Sequence, residues 1–246
     1  LSLHVCAPLF YESEDRARIL SATAAAHGIS PVFFGVGQKW EGFWESKFLG
    51  FREHLAGVDR EYTLVLDAND CVFLAGEEQI LEAYERARNG HDILLQGAYG
   101  LYPYKLHRIG RHFRDLADGR GFGHPYPCAG LILGRTDALR RACNVLYEMW
   151  SEVPVWFPNK RDDDQGWWEL GIYSGRVAAQ IDYKAIVSLG MYRQKLWWFR
   201  LNKEQEGEEL YGIVEPTKIL HFTGWGRPGG MLSWWNRNAP RLGISL

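Results

Sequence analysis

Thr63-Leu64-Val65-Leu66 runs without a break into Asp67-Ala68-Asn69-Asp70, and the apolar run then resumes through Cys71-Val72-Phe73-Leu74. A short unbroken apolar run suits a strand with both faces buried, the kind found in sheets covered by helices on both sides. Packing gives no reason for two carboxylates at the end of such a strand. Asp and Asn favour turns, so a plain turn accounts for Asp67, Asn69 and Asp70. The carboxyl end of a central strand is also where open α/β sheets bind ligands. Two oxygen donors three positions apart across a turn can share one divalent cation.

The flanking segments supply the helices. Residues 2–7 alternate weakly and read as a first strand; Ser13, Glu14 and Asp15 open a helix that Ile19 and Leu20 carry to Gly28. Residues 31–34 form a second strand, Phe48, Phe51 and Leu55 mark a second helix, and the Thr63 strand follows. Residues 76–88 have Glu77 and Glu78 at the start, Arg86 and Arg88 at the end, and an apolar stripe of Ile80, Leu81, Tyr84 and Ala87. Residues 92–96 give a fourth strand. This alternation predicts an α/β fold with a mainly parallel central sheet and helices on both faces. The rhythm breaks over 97–127, where Lys105, His107, Arg108, Arg111, His112 and Arg114 overlie Leu106, Ile109, Phe113 and Leu116 at helical spacing. A solvated basic helix face is expected there, the alternative being a surface for an anionic acceptor. Then come a small-residue strand at 128–134, a helix capped by Thr136, and short strands at 179–183, 185–189 and 217–222.

Bulk properties narrow the function. The 246 residues carry a net charge of −2, so there is no overall basic footprint for nucleic acid or a membrane surface. No apolar run approaches the roughly 18 residues that span a bilayer. Cys6, Cys71, Cys128 and Cys143 show neither C-x-x-C nor zinc-ligand spacing, which predicts buried free thiols in a reducing, cytoplasmic compartment. The chain opens on Leu1 rather than Met, compatible with a processed N-terminus. No internal repeat or domain boundary is visible.

Three further stretches carry chemistry. Gly35-Val36-Gly37 follows the second strand, where glycines let a ligand approach the backbone, although the spacing is not G-x-G-x-x-G. In Arg161-Asp162-Asp163-Asp164-Gln165-Gly166-Trp167-Trp168, three consecutive carboxylates repel unless solvated or paired, or unless they open a helix. His221 ends the last strand and precedes Gly224 and Arg227. It reads either as a hydrogen-bonded histidine or as a metal ligand beside a phosphate-binding loop.

Taken in order, these motifs resemble the glycosyltransferase domain of the procollagen lysyl hydroxylases, a nucleotide-sugar-dependent transferase with the GT-A fold. Phe34-Gly35-Val36-Gly37 through Trp40-Glu41-Gly42 is similar to that family's glycine–tryptophan loop, and Lys47 to a lysine that follows it. Asp67-Ala68-Asn69-Asp70 stands at its D-x-x-D metal motif, 128–134 at its asparagine–small–glycine segment, Asp163-Asp164-Gln165 at its D-D-Q segment, and His221 at its late metal-binding histidine. The last segment is also similar to the H-F-x-G-x-x-K-P-W motif of glycogenin-like transferases, with Arg227 in place of the lysine and Gly229 in place of the tryptophan. Cys128 stands where the collagen-type family has asparagine, and 221–225 departs from its H-G-N-G-P. These departures fall on the sugar and acceptor side.

The resemblance implies a single GT-A domain over 1–246, with a nucleotide-binding half over about 1–96 and a sugar and acceptor half over about 97–246. It implies Mn²⁺, or Mg²⁺ as a weaker substitute, held by Asp67, Asp70 and His221, with Asn69 as an alternate ligand. Gly35, Val36, Gly37, Trp40, Lys47, Asn69, Gly224 and Arg227 would hold the nucleotide of a UDP-sugar. Asp163 and Asp164 would be catalytic, and Tyr102, Gly130, Gln165, Trp168 and Trp225 would meet the sugar or acceptor. The partners implied are a nucleotide sugar and a hydroxyl-bearing acceptor (glycan, protein or modified base), with retention at the anomeric carbon. A nucleotidyltransferase would need a glycine-rich loop after the first strand, and Cys6-Ala7-Pro8-Leu9-Phe10 is not one. A non-catalytic carbohydrate-binding protein explains the 11 tryptophans but not Asp67, Asp70, His221 and Arg227 together. A transferase acting on modified DNA bases rests on the basic helix alone.

Overall fold

In the computed structural model the structure describes residues 2–102, 107–118, 124–153, 163–191, 217–222, 235–236 and 239–240. The strands are β1 (Leu3–Pro8), β2 (Val32–Phe34), β3 (Tyr62–Leu66), β4 (Cys71–Phe73), β5 (Ile93–Ala98), β6 (Tyr126–Arg135), β7 (Gln180–Asp182), β8 (Ser188–Gly190) and β9 (Ile219–His221). The helices are α1 (Arg18–Ala26), α2 (Leu49–Ala56), α3 (Glu77–Ala87), α4 (His107–Asp118), α5 (Thr136–Glu152) and α6 (Gln165–Tyr173). A wide π-helical turn, Phe43–Phe48, leads directly into α2.

The main sheet has six strands in the order β2-β1-β3-β6-β5-β7. β6 is antiparallel to both its neighbours, β3 and β5, and the other strands share one direction. β3 lies near the centre and every residue of it is buried, as its unbroken apolar run requires. Successive side chains on a strand point to opposite faces. Val5, Leu64, Leu66, Leu131 and Leu133 therefore pack with Leu20, Ala24, Ile80 and Tyr84 of α1 and α3. Cys6, Val65 and Ile132 pack on the other face with Phe51, Leu55, Leu139, Leu146 and Trp167 of α2, α5 and α6.

A second sheet, β4-β9-β8, was not foreseen from the sequence. β4 pairs antiparallel with β9, so that Cys71 stands opposite His221 across 150 positions of chain. Thr136 does not cap α5 as expected. It is the first helical residue, and its hydroxyl lies 2.8 Å from that of Thr63. The basic face of α4 is solvated as expected, with Arg108, Arg111 and Arg114 exposed over buried Ile109 and Phe113. Leu116, expected beneath those charges, is instead exposed.

Asp182 joins the two sheets. Its buried carboxylate accepts from the backbone N–H groups of Ile186, Val187 and Ser188 at 2.9, 2.8 and 3.0 Å, closing the link from β7 to β8. Asp182→Ala strands three donors in the interior and should destabilise the chain by roughly 2–4 kcal/mol in urea unfolding. A loss below about 0.5 kcal/mol would contradict this account of the junction.

Candidate functional site

β3 ends inside the sheet, and the chain must leave it for the second sheet within four residues. Asp67 begins that exit: its backbone N–H donates to Gly130 O at 3.0 Å. At the far end of the turn the carbonyl of Asp70 accepts from Phe222 N at 2.8 Å, and β4 pairs with β9. Asp67, Asp70 and His221 meet for this reason. Nε2 of His221 lies 3.4 Å from Asp67 Oδ2 and 3.3 Å from Asp70 Oδ1.

The orientation of the ring is fixed from behind. Nδ1 of His221 is 2.7 Å from Gln96 Oε1, which can only accept, so Nδ1 carries the proton. The lone pair of a neutral ring then points at two carboxylate oxygens, one of which, Asp70 Oδ1, is buried without a hydrogen bond. Lone pairs thus crowd around Nε2, and a cation there would relieve them; one ligand atom each of Asp70, Cys71 and His221 lies within 4.8 Å of the others. A proton can serve: burial opposes it, but Cys71, Asp70 and Asp67 hold the proton affinity of His221 well above that of an ordinary imidazole. A divalent metal serves as well, and a carboxylate–imidazole donor set suits Mn²⁺. Gly130 makes room for the arrangement, since a Cβ there would overlap His221 Cε1 and stand 2.9 Å from Asp67 Oδ2. Gly130, expected on the sugar side, thus lies against the histidine and the first carboxylate. Gln96 was not singled out from the sequence. Its signal was a lone amide in an apolar strand, and it is fully buried.

Lys47 occupies the other side of Asp67. Its ammonium lies 2.8 Å from Asp67 Oδ1 and 3.1 Å from Asp164 Oδ2, with the side chain only 8% exposed. Burial disfavours the charge, but Asp164 and Asp67 together hold the lysine above its usual range. In return Asp67 is held well below the usual carboxylate range, by Lys47 first and His221 second, against the pull of burial. The turn that carries Lys47 is anchored by Trp44, which stacks on Phe48 at 4.1 Å and Trp150 at 5.2 Å and packs on Trp167 at 5.7 Å.

Asp163 and Asp164 part company in the structure. Asp164 pairs with Lys47, although burial still raises its pKa. Asp163 caps α6, its Oδ1 accepting from the backbone N–H groups of Gln165 and Gly166 at 2.9 and 3.3 Å. Burial and the neighbouring Asp164 push Asp163 up to about 7. Gln165 ties three segments together: its amide accepts from Ala129 N at 3.3 Å and donates to Tyr102 O and to Glu169 Oε1. Glu169 is wholly buried, and burial pushes it up to about 9.

Beside Asp67 opens a cavity of about 430 Å³ lined by Pro8, Phe10, Tyr11, Trp40, Phe43, Lys47 and residues 67–70. Its aromatic wall is built edge to face, with Trp40 5.5 Å from Phe10 and 5.2 Å from Phe43. Trp40 is 43% exposed and free to stack on a flat ligand. Asn69 donates to the Tyr11 hydroxyl at 3.3 Å. Gly35, Val36 and Gly37 do not line this cavity. Gly35 has φ +86°, and a Cβ there would come within 2.5 Å of the Phe10 ring, so it serves the wall from behind. Phe10 and Tyr11 were missed in the sequence, where the aromatic pair just after the first strand was the available signal. A second cleft of about 500 Å³, lined by Arg52, Arg140, Tyr147 and others, shares no residue with the first.

Trp168, expected to stack on sugar or acceptor, is 1% exposed and packs in the core with Trp167, because both rings fall on the inner face of α6. Tyr102 is 61% exposed beside Gln165. Gly224, Trp225 and Arg227 lie outside the described residues.

No model of a known protein family and no curated protein matches the chain. Solved structures do. A glycosyltransferase involved in the glycosylation of the major capsid of PBCV-1 is similar over 94% of this chain and 98% of its own, at 10% identity and a TM-score of 0.51. Mouse xyloside xylosyltransferase 1 in its apo form is similar over 91% of this chain and 98% of its own, at 14% identity and a TM-score of 0.50. The apo-form glycosyltransferase GlyE of Streptococcus pneumoniae TIGR4 is similar over 96% of this chain, at 11% identity and a TM-score of 0.51, and this chain covers 60% of its length. At such identities the likeness establishes the architecture: a mainly parallel sheet sheathed by helices, as in glycosyltransferase folds.

Gly130→Ala should displace the His221 ring, lowering stability by roughly 1–3 kcal/mol and shifting the NMR signal of its Nδ1–H; an unmoved signal would contradict the close approach. Asp163 and Glu169 keep their protons to about pH 7 and 9 in the folded chain, against about 4 when unfolded. The folded state therefore binds more protons in that window, and stability must fall as pH rises through it, by at most about 1.4 kcal/mol per unit for each group. Glu169→Gln should flatten the fall up to pH 9 in denaturant titrations across pH, and an unaltered slope would refute the buried neutral acid.

Proposed function

We propose that this chain is a divalent-metal-dependent glycosyltransferase that moves a sugar from a UDP-sugar to a hydroxyl acceptor. The observation that carries the proposal is the placement of Asp67 Oδ2 and Asp70 Oδ1 each within 3.4 Å of His221 Nε2, with both aspartates lining an aromatic cavity. Asp67, Asp70 and His221 would hold Mn²⁺, or Mg²⁺ more weakly. Held there, such a cation would neutralise charge gathering on a departing diphosphate.

The chain's own groups account for the remaining work. Trp40, with Phe10 and Phe43 behind it, offers a ring face to uracil, and Tyr11 and Asn69 offer polar edges nearby. Lys47 keeps Asp67 ionised and holds Asp164 in register with it. Asp164 is the carboxylate on the sugar side, where it stabilises positive charge on the sugar ring. Asp163 acts as the cap that fixes where α6, and hence Asp164, begins. Gln165 and Tyr102 mark the acceptor side. The motif resemblances to the collagen-type and glycogenin-like transferases support retention and a uridine donor, with Arg227 as a phosphate contact.

Calorimetry with UDP tests the proposal. UDP should bind in Mn²⁺ and lose its affinity in EDTA. Asp70→Asn, which keeps the size of the side chain, should abolish the metal-dependent part, with circular dichroism checking that the chain stays folded. Trp40→Ala should weaken UDP by about 1–3 kcal/mol, the usual worth of one stacked base. Equal UDP affinity in Mn²⁺ and EDTA, or in wild type and Asp70→Asn, would contradict the proposal.

A further inference from the structure

His4, Cys6 and His54 form a second cluster of ligand-bearing side chains, and none of the three takes part in the proposed chemistry. His4 and Cys6 are two positions apart on β1 and so point to the same face. That face is covered by α2, which supplies His54. One atom from each residue, two imidazole nitrogens and a thiol sulfur, lies within 4.8 Å of the others. Nε2 of His4 and Nε2 of His54 are 2.8 Å apart, and one ring donates to the other.

We propose that this cluster is a binding site for a thiophilic divalent cation of the Zn²⁺ class. The donor set is two nitrogens and one sulfur with no carboxylate, which selects zinc-like ions against Mg²⁺ and Mn²⁺. Burial lowers the pKa of both rings, which favours the unprotonated form whose lone pair can take a metal. The proton now shared between the rings holds the place of the cation. On binding, the donor ring moves its proton to Nδ1, Cys6 releases its thiol proton, and two Nε2 atoms and one thiolate take the metal. Cys6 is fully buried, and burial alone keeps its thiol protonated. A cation at this position is what would allow the thiolate to form. His4 and His54 are only half-buried, leaving an approach from solvent. Phe34 stacks on His54 at 5.4 Å and fixes that ring. The spacing signature of a zinc site is absent from the sequence because the ligands come from two elements 48 positions apart in chain. The bound ion would tie α2 to β1, and α2 continues directly from the turn that carries Lys47.

Co²⁺ added to the EDTA-stripped, dialysed protein tests this, because a thiolate bound to Co²⁺ gives a near-ultraviolet charge-transfer band. Cys71 lies beside Asp70 and His221 and is the competing source of such a band. The band should appear in wild type and in Cys71→Ser, vanish in Cys6→Ser, and need at least about tenfold more Co²⁺ in His54→Gln, the loss of one ligand. Zn²⁺ at about a hundred times its dissociation constant should raise Tm by roughly 5 °C or more in wild type and not in His54→Gln. No band in wild type, a band that persists in Cys6→Ser, or one that disappears in Cys71→Ser would overturn the proposal. Should Cys6→Ser fail to fold, the double variant His4→Gln/His54→Gln decides: undiminished Co²⁺ affinity there would overturn it. None of these readouts depends on UDP or on sugar transfer, so failure here leaves the proposed glycosyl transfer standing, and the converse holds.

Discussion

The ammonium of Lys47 between Asp67 and Asp164 sets the terms for the rest of the site. A buried cation is tolerable only when it is paired, and removing one partner leaves an uncompensated charge in the interior. The three residues come from the turn before α2, the end of β3 and the start of α6. None of those segments can settle without the other two. Packing reinforces the same junction, since Trp44 on the Lys47 turn stacks on Trp150 of α5 and packs on Trp167 of α6. An electrostatic constraint and an aromatic core thus converge on one place, where the chain holds two carboxylates against one ammonium.

The meeting of Asp67, Asp70 and His221 follows from a second constraint, the pairing of β4 with β9. Asp67 ends a strand of the main sheet, Asp70 precedes a strand of the second, and His221 ends the strand that pairs with it. The histidine reaches the carboxylates only because position 130 has no side chain and Gln96 turns its ring. Backbone, a missing Cβ and one amide therefore determine an arrangement that a list of the three residues would not explain. Outer partners of this kind orient ligands and tune them.

Much of this was legible in the sequence, and the exceptions have physical reasons. The Thr63–Leu66 run stated its own burial, and the carboxylates after it stated that something other than packing ended the strand. The strand–helix rhythm predicted the main sheet. The second sheet was hidden because β4, β8 and β9 are three residues each and pair across long separations, where local pattern carries no signal. Trp168 misled because a tryptophan looks the same in sequence whether it packs or stacks. Asp163 and Asp164 were both visible as chemistry, but only coordinates divide them into a helix cap and a lysine partner. Gln96 was overlooked inside an apolar strand, although an amide fully buried in such a run demands a partner.

The most direct measurement is anomalous diffraction from a crystal soaked with Mn²⁺ and UDP. A single manganese peak bounded by Asp67, Asp70 and His221, with uracil against Trp40 and Lys47 still joined to Asp67 and Asp164, is the predicted result. Manganese elsewhere, or UDP bound with no metal at those three residues, would contradict it.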